Sequence, residues 1–284
     1  MADPLPLPPL MITAAICGAE VFRDQTPYVP YTPAELAEEA VRCHAAGATM
    51  VHLHVRQPDG TPSQSAELFA EAKALIQARC PILVQFSTGG AVGMSVAERA
   101  DALKLRPDMA TLTTGSVNFG DDIFANATPM VRQIAQRMQE FGVRPEIECF
   151  DTGIVRSARM FRERGMLRDP VHISLVMGVA SGMAADPRWL PLLVDEMPKG
   201  AIWQVIAIGR QEVWALHRAA VRLGGHLRTG LEDTFYLPDG TKTDSNGRLV
   251  AALAEVVREA GCEVASAEEA REIMGIYRYP SKAA

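Results

Sequence analysis

The sequence predicts an α/β protein with a (β/α)8 TIM-barrel fold. Three observations point there. Eight short apolar runs have strand character, longer helical patterns separate them, and polar residues recur at one parity near the ends of those runs. An open doubly wound sheet of the flavodoxin or Rossmann kind is the alternative. Eight strand–helix units in 284 residues favour closure. No linker or compositional break interrupts the series, so residues 1–284 read as one barrel domain with an extra C-terminal helix.

The strand runs, in order, are "LMITAAIC" (10–17), "ATMVHLHV" (48–55), "PILVQFS" (81–87), "DMATLTT" (108–114), "RPEIECF" (144–150), "VHISLVM" (171–177), "AIWQVIAI" (201–208) and "HLRTGLE" (226–232). The intervening patterns include "TPAELAEEAVRCHAAG", "SQSAELFAEAKALIQARC", "SVAERADALKL" and "TPMVRQIAQRMQEFG". Thr32, Pro33 and Glu35 read as an N-cap, a first-turn proline and a capping-box acid, and Gly47 stands where a helix stop belongs. "SNGRLVAALAEVVREAG" is the eighth helix, and "SAEEAREIMGI" follows it.

Composition narrows the partners. The net charge is −6, and lysine and arginine form no block, which argues against nucleic acid or an anionic membrane. No apolar run reaches the roughly 20 residues that span a bilayer. The proline-rich "MADPLPLPPLM" lacks the basic start of a signal peptide. Cys17, Cys43, Cys80, Cys149 and Cys262 are odd in number and scattered, as expected of reduced thiols in a cytoplasmic protein.

A barrel places its chemistry at the C-terminal ends of the strands, on side chains of inward parity. His52 and His54 meet both conditions, while Val51, Leu53 and Val55 take the outward parity. Gln85 and Ser87, Thr111 and Thr113, Glu146 and Glu148, and Arg228, Gly230 and Glu232 repeat the pattern. Two imidazoles at i, i+2 before a turn converge on one point, as a divalent metal requires. The bland reading is a pair of hydrogen-bonded core histidines. A third ligand has to come from another strand end, and "GLED" at 230–233 offers Glu232 and Asp233. Two histidines and a carboxylate suit catalytic zinc; non-haem iron(II) uses a similar set. His44, His172, His217 and His226 lie in helices or deep in strands, so the extra histidines of an amidohydrolase-type site are missing.

The loops add weaker signals. "FSTGGAVG" (86–93) can cradle an anion or form a plain turn. "NFGDDIFANA" (118–127) reads as a long loop at the barrel mouth, and the segment after "GLED" as a functional loop or lid. Arg228 is placed to orient Asp233, to hold a substrate carboxylate, or to form a buried ion pair. Beside an arginine, Asp233 is expected to have a depressed pKa and to be ionised. Arg56 shares the inward parity, and a carboxylate beside the metal is the partner it would brace.

Taken together, "ITAAICGAE", "VHLHVR", "STGG", "NFGDDIFANA", "ECFDTG", "GGHLRTGLEDTFYLPDG" and "SNGRLV" resemble the β-keto acid cleavage enzymes over about residues 11–275. The resemblance implies a zinc-dependent (β/α)8 enzyme that condenses a β-keto acid with acetyl-CoA, giving acetoacetate and a new acyl-CoA. It implies a homo-oligomer, tetrameric in the family. By motif, His52, His54 and Glu232 correspond to the zinc ligands, and Asp233, oriented by Arg228, to the base acting beside the ketone. Ser87 and Thr113 fall on positions that contact substrate and stabilise developing oxyanions. Glu20 and Glu148 fall on further substrate-binding positions, which would suit an amine or quaternary ammonium side chain or serve the metal's surroundings. Arg210 is a candidate for contact with CoA. Thr234, where relatives often have Asn, and "MGVASGM" (177–183), where "LGVPGGM" is common, bear on substrate choice. The alternative is a metal-dependent barrel lyase or aldolase acting without CoA.

Overall fold

The computed structural model describes residues 8–276; most of the proline-rich start and the last eight residues lie outside it. Eight parallel strands close into a barrel. They are β1 (Ile12–Ala15), β2 (Met50–Leu53), β3 (Leu83–Phe86), β4 (Met109–Thr113), β5 (Arg144–Cys149), β6 (His172–Met177), β7 (Ile202–Ala207) and β8 (His226–Thr229). Each pairs with its neighbours in chain order, and β8 returns to β1 with Thr13 opposite Arg228. The open sheet is thereby excluded.

Helices α1 (Pro33–Ala45), α2 (Ala66–Gln77), α3 (Val96–Asp101), α4 (Thr128–Phe141), α5 (Thr152–Glu163), α6 (Leu190–Glu196), α7 (Val213–Arg222) and α8 (Asn246–Glu259) connect the strands. The capping box at Thr32 is formed in both directions, with Pro33 in the first turn, and Gly47 leaves the helix at φ +112°. Among the described residues no helix is long and apolar enough to cross a membrane. All five cysteines are free and buried.

Strand parity sorts the side chains into two environments. Val51, Leu53, Val84 and Phe86 pack outward in the large core between sheet and helices. Phe86 meets Phe69 of α2 with ring centroids 4.4 Å apart. Inside the barrel, Met11, Met50, Leu83 and Met109 form an apolar floor closed by Ala270 and Met274 around α9 (Ala267–Ile273). Above it runs a belt of buried polar groups that includes Thr13, His52, Gln85, Thr111, Glu146, Ser174 and Gln204. His172 and His226 serve the floor: His172 Nε2 contacts Met274 O at 3.2 Å, and His226 Nδ1 accepts from Met11 N at 3.1 Å.

Short hairpins form at the end of the second strand run and in the segment expected as a loop at 118–127. Val55–Arg56 pairs with Pro62–Ser63, and Val117–Phe119 pairs with Asp122–Phe124. The second hairpin turns "NFGDDIFANA" into a built wall at the barrel mouth, because Phe119 and Phe124 have an apolar surface to cover there.

Phe86 is 1 % exposed in well-packed surroundings. Phe86→Ala is expected to cost about 3–5 kcal/mol of unfolding free energy through lost burial and an unfilled cavity. Denaturant titration checks this, and a loss below about 1 kcal/mol would contradict the packing described.

Candidate active site

A cavity of about 390 Å³ opens at the C-terminal end of the barrel. Its ionisable walls are Glu20, His54, Glu148, Arg228, Glu232 and Asp233, with Ser87, Gly89 and Gly90 beside them. Phe119, Phe124, Phe150, Val176, Ile206 and Ile208 make much of the remainder apolar.

His52 is the last but one residue of β2 and His54 stands just past its end, and their ring centroids lie 5.1 Å apart. His52 Nε2 lies 3.6 Å and His54 Nε2 3.7 Å from Glu232 Oε1. One ligand atom from each of the three residues fits within a 4.8 Å cluster. Burial pushes the His52 pKa down to about 3 and lowers that of His54, which keeps both imidazoles neutral. His52 Nε2 and Glu232 Oε2 are buried and have no hydrogen-bond partner. A buried acceptor left unpaired costs roughly 1–3 kcal/mol. A divalent cation at this cluster would give His52 Nε2 and the Glu232 carboxylate a partner, so the donor set fits a metal.

Glu232 reaches the cluster by a route that strand alternation does not supply. β8 stops at Thr229, and Gly230 to Asp233 form a turn. On a continuing strand, Glu232 and Asp233 would face opposite sides. In the turn, both meet Arg228. Its Nη2 donates to Glu232 Oε1 at 2.6 Å and to Asp233 Oδ1 at 2.9 Å, and its Nε donates to Asp233 Oδ2 at 3.1 Å. Gly230 is required at this turn: at φ +156° a Cβ would sit 2.0 Å from Ala15 O. Gly18 is required as well, since at φ +67° its Cβ would meet Glu232 Cγ at 2.8 Å.

The charges in this cluster set one another. Burial opposes the charge on Arg228, but Asp233 and Glu232 more than offset it, and its pKa rises. Burial also opposes ionisation of Glu232, yet Arg228 and the two histidines bring its pKa down to about 2. Asp233 differs from expectation. Burial outweighs its arginine and pushes its pKa up to about 6, so the depression expected from sequence does not occur. A carboxyl with that pKa is still ionised at neutral pH, and it is a stronger base than an ordinary aspartate.

The remaining candidates divide. Ser87 lines the cavity, and its Oγ accepts from Gly89 N at 3.1 Å. Glu148 also lines the cavity, with its pKa pushed up to about 7 by burial and its Oε1 3.6 Å from Arg228 Nη1. Thr113 stands behind Glu148 and donates to its Oε2 at 3.2 Å. Glu20 is exposed at the mouth. Arg210 is on the surface, donating to Tyr236 Oη at 2.7 Å.

Arg56 does not brace a carboxylate. It is 1 % exposed, donates to Gly18 O at 2.7 Å, Val21 O at 2.8 Å and Gly60 O at 2.7 Å, and approaches Cys17 Sγ at 3.3 Å. The antiparallel hairpin that begins at Val55 turns it away from the barrel axis and toward the loop after β1. Asn246 is a residue to which sequence reasoning gave no role. It is 0 % exposed, its Oδ1 accepts from Leu231 N at 2.8 Å, and its Nδ2 donates to Ile16 O and to Glu39 Oε2. It thus pins the turn that carries Glu232. The signal was a polar side chain opening an otherwise apolar helix face.

Comparison with known proteins identifies relatives of this chain. Residues 9–276 match the family model described as beta-keto acid cleavage enzyme. The chain belongs to the beta-keto acid cleavage enzyme family. The 3-keto-5-aminohexanoate cleavage enzyme of Fusobacterium nucleatum subsp. nucleatum is 42% identical over 269 residues, 94% of this chain and 98% of that protein. The 3-oxoadipate:acetyl-CoA acetyltransferase of Cupriavidus necator is 38% identical over 272 residues, 94% of this chain and 95% of that protein. Among solved structures, apo ObcA superposes with a TM-score of 0.79 at 21% identity, covering 88% of this chain and 66% of that chain. At that identity the likeness speaks for the shared barrel. Glu20, His54, Ser87, Phe119, Phe124, Glu148, Glu232 and Asp233, drawn from the motifs quoted above, line one cavity at the barrel mouth.

Arg56→Met would leave three buried carbonyls without their donor, at roughly 1–3 kcal/mol each. The expected result is a clearly lower denaturation midpoint. Arg56→Lys is expected to recover only part of it, because one ammonium cannot reproduce the guanidinium fork. A midpoint unchanged in Arg56→Met would overturn the clamp.

Proposed function

We propose that this chain is an acetyl-CoA-dependent β-keto acid cleavage enzyme with zinc held by His52, His54 and Glu232. The observation that carries the proposal is the unpaired, buried His52 Nε2 and Glu232 Oε2 beside the Arg228–Asp233 pair, in a chain of this family. The name of the Cupriavidus relative supports acetyl-CoA as the second substrate. Zinc bound here would supply a Lewis acid next to the keto oxygen and lower the cost of negative charge on it.

The chain's own groups do the rest. Asp233 removes a proton from C2 of the β-keto acid, the carbon between ketone and carboxylate. Arg228 holds the Asp233 carboxylate by two hydrogen bonds, so the base is oriented before substrate arrives. The C2 carbanion attacks the acetyl thioester and releases the CoA thiolate. That thiolate attacks C3, the C2–C3 bond breaks, and the acyl fragment leaves on sulfur. Asp233 returns its proton to C2 of the acetoacetate so formed. Atoms balance with no oxidant and no water consumed. Ser87 Oγ, on the cavity wall, is placed to donate to an oxyanion. Thr113 acts through Glu148, whose carboxyl it fixes. The apolar walls exclude water from the carbanion.

Incubating the protein with acetyl-CoA and a panel of β-keto acids tests this reading. Acetoacetate is expected only when both substrates are present. Cleavage without acetyl-CoA would instead indicate a lyase or aldolase. Asp233→Asn is expected to retain zinc and lower kcat by about 10²–10⁴-fold. Near-normal turnover in that variant would remove Asp233 as the base.

A further inference from the structure

Below the ligand cluster runs a line of side chains that the proposed reaction does not use. His52 Nδ1 is 2.7 Å from Gln85 Oε1, and Gln85 Nε2 donates to Glu146 Oε2 at 2.8 Å. The three residues are 1 %, 0 % and 3 % exposed. Register sets His52 opposite Gln85 across β2 and β3, while Glu146 reaches in from β5 on the far side of β4. With Glu146 as acceptor, the Gln85 amide is fixed with its carbonyl toward the imidazole. A carbonyl oxygen only accepts, so Nδ1 of His52 carries the ring proton. The lone pair then lies on Nε2, the unpartnered atom that faces Glu232.

We propose that the Glu146–Gln85 pair is a positioning device for the metal centre. It locks the His52 ring and tautomer so that Nε2 is presented as a ligand atom. Neither residue touches the three-atom cluster, and neither lines the cavity. They act through His52 alone. A ligating histidine whose other nitrogen is held by a fixed acceptor loses less freedom on binding, and its ligating atom is more basic. The inference rests on the reading that His52, His54 and Glu232 hold a divalent metal.

The same belt supplies a control. Thr13 Oγ1 donates to Gln204 Oε1 at 3.0 Å, and Gln204 Nε2 donates to Ser174 Oγ at 2.9 Å. Thr13 is as buried as His52, makes no hydrogen bond to it, and meets Glu146 only through Gln204 and Ser174.

Zinc affinity of the metal-stripped protein, measured by competition with a chelating dye, tests the proposal without reference to turnover. Gln85→Leu is expected to bind zinc about 10- to 100-fold more weakly, while Thr13→Val stays within about threefold of the parent. The double exchange Gln85→Glu with Glu146→Gln keeps the total charge and restores both hydrogen bonds, with the new carboxylate accepting from Nδ1. It is expected to return affinity to the parent level or above. Circular dichroism confirms that each protein is folded. Unchanged affinity in Gln85→Leu, or a folded exchange variant still at least about tenfold weak, would overturn the positioning role. If Gln85→Leu does not fold, Gln85→Met, which also removes the acceptor, is read by the same two outcomes. His52→Ala separates the two levels of the argument. If it binds zinc like the parent, the metal-site reading has failed. If it loses zinc while Gln85→Leu does not, only the positioning role is refuted.

Discussion

Arg228 is 2 % exposed, and its charge sits where burial opposes it. The chain compensates with Glu232 and Asp233 at hydrogen-bond distance and Glu148 at 3.6 Å. Removing one member of such a buried set typically costs about 3–5 kcal/mol, because the others are left uncompensated. The local geometry follows from this demand. β8 has to end early so that consecutive residues can both face the guanidinium. Gly230 and Gly18 have to lack side chains so that β1 and the turn can approach, and Asn246 ties the turn to α8. One carboxylate is thereby aimed at the histidine pair and the other is left beside it at the cavity wall.

The interior of the barrel is graded to suit that cluster. An apolar floor of methionines and Leu83, closed by α9, excludes water from below. The polar belt above it spends its hydrogen bonds inward, on groups that water does not reach. The rim holds the charges, with Phe119 and Phe124 of the second hairpin and Val176 and Ile206 of β6 and β7 completing the cavity. Cation binding at His52, His54 and Glu232 would give a partner to two of the buried acceptors that this packing leaves unpaired, His52 Nε2 and Glu232 Oε2.

Period-two alternation made much of this legible in the sequence. It located the strands to within a residue or two for most of the barrel, and it put His52, Gln85, Glu146 and Arg228 on the inner face. Alternation failed where the backbone leaves the strand. Glu232 and Asp233 face the same side because they lie in a turn, and Arg56 leaves the barrel axis because a hairpin begins at Val55. Residue type alone also misjudged Asp233, since an adjacent arginine says nothing about burial, which here acts more strongly. The polar residue opening α8 gave no sign of what Asn246 ties together, because its partners include two backbone groups, of Leu231 and Ile16, and the Glu39 side chain of another helix. The hairpin in "NFGDDIFANA" read as a loop because its strands are only three residues each.

The buried arginine and the histidine pair together shape a candidate metal centre at His52, His54 and Glu232. Anomalous diffraction at the zinc edge from zinc-loaded crystals tests it most directly. An anomalous peak bonded to both histidine Nε2 atoms and the Glu232 carboxylate is expected. A saturated crystal with no peak at that position, whether or not zinc binds elsewhere, would contradict it.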